Sequence, residues 1–226
     1  MRAISLISAH PQAGKTTLAV NLASGCSLKG LRAALATPAI NGFLFNWLGI
    51  NPPAIGQISN LPSPFGFDIM TYDYQKDPYE FIKLINFYDL IFFDTANTFD
   101  SQKFAISCSD LVLLCTQLAP EEVPSIVRLN NKLLKVFLQN KSIDLIVPNR
   151  INTREWAENT QHLMSLAHIL GPDKIADMIP ACAAIHDLPL EKESVWNLPS
   201  RYQNRKDAFS HLLQAIGKAA HIESLY

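Results

Sequence analysis

What this chain lacks narrows it before any motif is read. No apolar run is long enough to span a bilayer, which argues against an integral helical membrane protein. The four cysteines (Cys26, Cys108, Cys115, Cys182) are scattered and include no Cys-x-x-Cys pair. They read as small buried hydrophobes in a reducing compartment, not as a disulfide frame or zinc site. Net charge is only −1, so no general attraction draws the chain to nucleic acid. A basic start leading into an apolar stretch is missing, so no secretory signal is read and a cytoplasmic location is expected. Internal repeats and low-complexity tails are absent as well.

What is present suits an α/β fold. The 226 residues are read as one domain, 1–226, long enough to bury a full core. Short apolar strands are expected at 3–8, 32–37, 67–71, 90–94, 111–116, 143–147 and 175–179. Helical periodicity lies between most of them, at 16–28, 78–86, 120–138, 154–170 and 206–220. This alternation predicts a doubly wound, mostly parallel sheet of about seven strands with helices on both faces. The turn-rich stretches at 51–53 and 61–64 read as surface loops.

One loop carries chemistry. Ser8-Ala9-His10-Pro11-Gln12-Ala13-Gly14-Lys15-Thr16-Thr17 follows the first strand and precedes an amphipathic helix. That is the strand–loop–helix setting of a phosphate-binding P-loop. Phosphate is anionic, and the loop N–H groups with the positive end of the helix supply converging donors. Gly14 permits close backbone approach, Lys15 reaches the β/γ-phosphates, and the Thr16 hydroxyl binds Mg²⁺. Gln12, Ala13 and Thr17 complete the cofactor-binding stretch. Asp94 ends an apolar strand and is placed to hold the same Mg²⁺ through water, the plain alternative being a turn or cap residue. Asn149 has an amide that can pair with an adenine edge, or it is an ordinary turn residue.

These elements resemble the ParA/MinD branch of P-loop ATPases. Thr16–Ala23 looks like that family's first helix, and Tyr88–Thr95 is similar to its Walker B strand and switch II entry. Ser109–Gln117 with Pro120-Glu121 resembles the next strand and loop, and Val147-Pro148-Asn149-Arg150 the base-reading turn. Ile179-Pro180, Pro199-Ser200 and a closing helix match more loosely. The resemblance implies a P-loop NTPase fold, ATP or ADP with Mg²⁺ as ligands, and Lys15 stabilising transferred charge in an active member.

Three departures bear on turnover. Where the family reads Lys-Gly-Gly-x-Gly-Lys-Thr, this chain reads His10-Pro11-Gln12-Ala13-Gly14-Lys15-Thr16. His10 replaces a lysine that in the family reaches across a dimer interface, and histidine is a poor permanent cation. Pro11 lacks an N–H and crowds the place where two protomers would face each other. Ala39 stands where the family has a water-positioning aspartate. Loss of both charge-handling positions removes several kcal/mol of transition-state stabilisation, on the scale of roughly thousand-fold arginine-finger effects. Glu121, Glu122 or Asp73 are the residues that would have to compensate.

The expected function is therefore a divergent, nucleotide-binding positioning or assembly protein of the CpaE/TadZ kind, with slow or absent hydrolysis. Its partner would be a protein of a positioning, pilus or secretion system, with peripheral membrane association through that partner. DNA binding is not expected, and a close nucleotide-sandwich homodimer is disfavoured. The alternatives are an active partition ATPase cycling on DNA or membrane, a metabolic enzyme on the same scaffold, and a nucleotide-free interaction protein. The apolar stripe of the last helix reads as core packing. The cluster Arg201, Arg205 and Lys206 reads as solvated surface, and Trp196 as a partner contact or a lid on the core.

Overall fold

The apolar runs of the chain are strands covered on both sides. In the computed structural model, which describes residues 2–38, 41–54 and 60–225, neighbouring side chains of one strand enter different cores. In β5 (Leu90–Asp94), Leu90 and Phe92 join the core under one layer of helices, and Ile91 and Phe93 the core under the other. A strand buried on both faces has no solvent side to mark with polar residues, hence its unbroken hydrophobicity.

The remaining strands are β1 (Arg2–Ile7), β2 (Ala33–Pro38), β3 (Asn60–Pro62), β4 (Asp68–Tyr72), β6 (Leu111–Thr116), β7 (Leu145–Ile151) and β8 (Ile179–Pro180). Their order in the sheet is β3-β4-β2-β5-β1-β6-β7-β8. All pairings are parallel except β3 with β4. The helices are α1 (Lys15–Leu28), α2 (Gly42–Leu48), α3 (Pro78–Leu84), α4 (Phe99–Cys108), α5 (Glu122–Val136), α6 (Trp156–Leu170), α7 (Ala183–Glu191) and α8 (Gln203–Ala220). Side chains of α1, α2, α7 and α8 pack into one core, and those of α3 to α6 into the two cores on the other side.

Several expectations are corrected. Among the described residues the sheet has eight strands, because residues 60–62 of a stretch read as loop add an antiparallel edge strand beyond β4. β7 runs on through Pro148, Asn149 and Arg150, so Asn149 lies on a strand paired with Ile179, not in a turn. The strand expected at 175–179 reduces to a bridge at Ile175 and the two residues of β8. Helices α2, α4 and α7 were not expected. α1 is not amphipathic: every residue from Thr17 to Cys26 is buried. It lies between the sheet and α8, whose Phe209, Leu212, Leu213 and Ile216 are core, as its stripe suggested.

Trp196 is a lid on that core. Its indole Nε1 donates to the Asn21 carbonyl at 2.8 Å, and a Cβ at Gly25 would lie 2.5 Å from its Cζ2. The Asn21 side chain also accepts the Val195 N–H at 2.6 Å. These contacts dock the 195–197 turn on α1, and α1 starts at the P-loop.

Candidate functional site

The C-terminal ends of β1, β2 and β5 converge on the start of α1, which is where ligands bind in open parallel sheets. Gly14 caps α1 at φ 89°, a left-handed conformation that glycine adopts without strain. It has a second reason to be glycine, since a Cβ there would meet Asn149 Nδ2 at 2.2 Å. Gln12 is also left-handed, at φ 63°. Its carbonyl is clamped by Gln117 Nε2 at 2.7 Å and Arg150 Nη1 at 3.2 Å. The Ala13 carbonyl accepts from Asn149 Nδ2 at 2.9 Å, and Ala13 itself is buried. The loop is thus tied down from β7 and from the loop after β6.

Lys15 is buried at the mouth of α1. Its ammonium donates to Ser8 Oγ at 2.8 Å and to Asn97 Oδ1 at 2.6 Å. Both acceptors are neutral. Burial pulls the Lys15 pKa below its ordinary value, against the pull of nearby Asp94. Ser8 in turn donates to the His10 carbonyl at 2.7 Å. A buried cation with neutral partners, at a helix N-terminus, beside a loop closed to any side chain at Gly14, fits an anionic phosphate.

Asp94 is 1% exposed. Its Oδ2 accepts from Thr16 Oγ1 at 2.7 Å and from Asn41 Nδ2 at 2.8 Å. Its Oδ1 is buried with no hydrogen-bond partner among the described residues. Burial raises the Asp94 pKa, opposed by the Thr16 hydroxyl, the Lys15 charge and the Asn41 amide. An unpartnered carboxylate oxygen beside a threonine hydroxyl is a hard oxygen donor set of the kind Mg²⁺ takes, with water filling the rest of its shell. The two sequence-expected metal residues are therefore in direct contact.

A cavity of about 630 Å³ opens over these groups, lined at its polar end by Lys15, Thr16, Thr17 and Asn97. A second, of about 280 Å³, continues past Thr17, Arg150 and His186 to Asn149 and the chain after β8. Together they have the size of a small-ligand site. No carboxylate is among the described residues that line the larger one. Glu122 is occupied elsewhere: its carboxylate accepts from the Thr116 hydroxyl and from the N–H groups of Gln117 (2.8 Å) and Leu118 (3.2 Å). Asp73 accepts the Gln75 N–H at 3.0 Å, and neither Asp73 nor Glu121 lines the cavity. Ala39 lies outside the described residues. Among the described residues His10 Nε2 is buried with no hydrogen-bond partner. Cys115, next to Lys15 on β6, is fully enclosed with its thiol pushed up to about 12.

Asn41 and Asn97 carry no sequence signal as site residues. Asn41 caps α2, accepting the Leu44 N–H at 3.3 Å, and reaches both Thr37 (3.0 Å) and Asp94. Elsewhere, Lys206 of the basic cluster is bound to the Trp196 carbonyl at 2.9 Å, and Arg201 lies over the Tyr202 ring.

No family model matches the chain, and no curated protein matches it in sequence. Solved structures do match in shape. McdA of Cyanothece superposes with a TM-score of 0.78 at 14% identity, over 96% of this chain and 100% of that one. MinD of Pyrococcus horikoshii, complexed with Mg-ADP, gives 0.72 at 18% identity, over 98% and 99%. MinD of Aquifex aeolicus, in its complex with MinC, gives 0.77 at 19%, over 96% of each chain. At such identities the likeness is one of architecture, and with the loop and sheet order above it leads to one statement. The chain has the ParA/MinD type of P-loop fold.

Proposed function

We propose that this protein binds ATP or ADP with Mg²⁺ and works mainly by holding the nucleotide, not by turning it over. The observation that carries the reading is the arrangement around α1. A buried ammonium (Lys15) and a buried carboxylate with one free oxygen (Asp94) are joined through Thr16 at the end of a cavity of nucleotide size. Lys15 and the loop N–H groups from Gly14 to Thr17 would bind the β- and γ-phosphates. Thr16 and Asp94 would hold Mg²⁺, which supplies charge neutralisation on the phosphate oxygens when bound. The base would lie toward Asn149, where one amide proton is already used by Ala13.

Slow hydrolysis follows from what the cavity wall offers. Phosphoryl transfer needs a group that positions the attacking water and charge that stabilises the transferred group. Among the described lining residues no carboxylate serves the first need. Neither His10, whose Nε2 is buried, nor Pro11 is a permanent cation of the kind that would reach across a close dimer. A nucleotide held without cleavage still acts as a structural ligand, favouring the conformation that binds it.

The fold is shared with MinD, which is seen with MinC, and this supports a protein partner and a role in positioning or assembling a cellular machine. Among the described residues no helix is long and apolar enough to cross a membrane. Calorimetric titration with ATP and Mg²⁺ tests the binding claim. Saturable binding in the wild type that disappears in Lys15→Ala is expected, and tight binding unchanged by that substitution would break the assignment.

A further inference from the structure

We infer that Asn97 is a positioning residue that competes with the phosphates of the nucleotide for the Lys15 ammonium. The inference rests on the nucleotide reading given above. Asn97 Oδ1 lies 2.6 Å from Lys15 Nζ, a short charge-assisted hydrogen bond. The amide oxygen presents to the ammonium what a phosphate oxygen would, a partly negative oxygen at contact distance, and Asn97 lines the same cavity.

The loop that carries Asn97 is held so that its side chain is the movable part. Thr95 Oγ1 donates to the Leu6 carbonyl at 2.7 Å, and the Ala96 N–H to Ser101 Oγ at 3.0 Å. Thr98 caps α4 through its hydroxyl, 3.4 Å from the Ser101 N–H. Ser101 and Gln102 fasten α4 in turn: Ser101 Oγ is 3.3 Å from the Tyr72 hydroxyl, and Gln102 Nε2 donates to the Ser8 carbonyl at 3.0 Å. Residues on both sides of Asn97 are therefore fixed, while Asn97 is itself exposed. Ser8 and Asn97 take two of the three N–H donors of Lys15, so a phosphate that engages the ammonium through more than the remaining one displaces that amide.

Competition predicts effects of opposite sign for two substitutions at one position. Asn97→Ala removes the competitor, and nucleotide affinity rises about 3- to 10-fold, the share of a charge-assisted hydrogen bond left after water replaces it. Asn97→Asp sets a full negative charge beside Lys15, which both strengthens the competing contact and repels phosphate. Affinity then falls by about tenfold or more, and less at high salt because the group is exposed. A residue that simply touched the nucleotide, or supported the loop, would weaken binding in the alanine variant.

The experiment is titration of a fluorescent N-methylanthraniloyl ATP with Mg²⁺ into wild type, Lys15→Ala, Asn97→Ala and Asn97→Asp, with thermal melts confirming that each folds. Tighter binding by Asn97→Ala with weaker binding by Asn97→Asp is the expected pair. Wild-type binding that is lost in Lys15→Ala, together with Asn97→Ala binding equally or more weakly, overturns the inference and leaves the nucleotide reading standing. Absence of wild-type binding overturns both.

Discussion

Replacing Asp94 by asparagine should make the ligand-free protein more stable and deprive it of its response to Mg²⁺. The carboxylate is enclosed, and among the described residues one oxygen has no partner and its charge is met by two neutral donors and by Lys15, itself desolvated. An amide keeps the shape. Its oxygen can accept from Thr16 and Asn41, which leaves the two N–H groups of its NH2 unpaired, a smaller penalty than a buried charge. The raised carboxyl pKa already includes the attraction of Lys15, so exchanging this buried charge for a neutral group of equal volume still gains, by about 1–2 kcal/mol. For a domain of this size that is a rise in Tm of roughly 2–8 °C. The sign of the pH dependence follows from the same burial. A carboxyl whose pKa is raised on folding binds more protons folded than unfolded, so its ionisation destabilises the fold as pH rises through the folded value. The advantage of Asp94→Asn is thus largest at neutral pH and above, and vanishes once pH falls below the ordinary aspartate range. The assay is differential scanning calorimetry in chelator across pH, repeated with Mg²⁺ and ATP. Ligand at a hundred times its Kd stabilises by about 2.7 kcal/mol, and the part of this that needs Mg²⁺ should be missing in the variant. An Asp94→Asn protein that melts below wild type in chelator, or that keeps the full Mg²⁺ increment, would refute the reasoning.

Two further substitutions test the surroundings of the loop. Gln12 is left-handed at φ 63°, a conformation costing a side-chain-bearing residue about 1–2 kcal/mol, against about 0.5–1 for the lost backbone freedom of glycine. Gln12→Gly should therefore raise stability by about 0.5 kcal/mol in urea unfolding, and a clear loss would show that the loop carries no strain there. At Gly25 a methyl group would strike Trp196 and Leu213, at 2.5 and 2.8 Å, with the indole pinned by its bond to Asn21. Gly25→Ala should cost about 1–3 kcal/mol and change the Trp196 fluorescence, whereas a neutral result would mean that the 195–197 turn is free to shift.

How far the sequence revealed this molecule depended on whether a segment is shaped by its own residues or by its neighbours. β5 and β6 appear at their expected bounds because each is an apolar run stopped by polar residues. β7 was cut short because Pro148 and Asn149 are turn formers, yet pairing with β6 and β8 keeps them extended. α1 showed a helix but not its all-round burial, which comes from α8 and Trp196 packing on the side away from the sheet. α2 was missed because Gly42–Leu48 has too few polar residues to mark a face, and α7 because Pro189 lies within it. Lys15 and Thr16 were legible because a strand end, a loop and a helix start bring them together by local order, and Asp94 because it closes an apolar strand of a parallel sheet, where ligand residues gather. Asn41 and Asn97 were not. Each is a common loop residue that acquires a role only when β2 and β5 place their ends beside β1.

The central claim is a cradle that binds nucleotide without the means to cut it. Phosphate release from protein saturated with ATP and Mg²⁺, followed over a single turnover, tests it most directly. The account predicts release close to the rate of ATP in buffer while the nucleotide stays bound, and equally so in Asp94→Asn loaded at high ATP. Release at the pace of a working ATPase, abolished by Lys15→Ala, would contradict it.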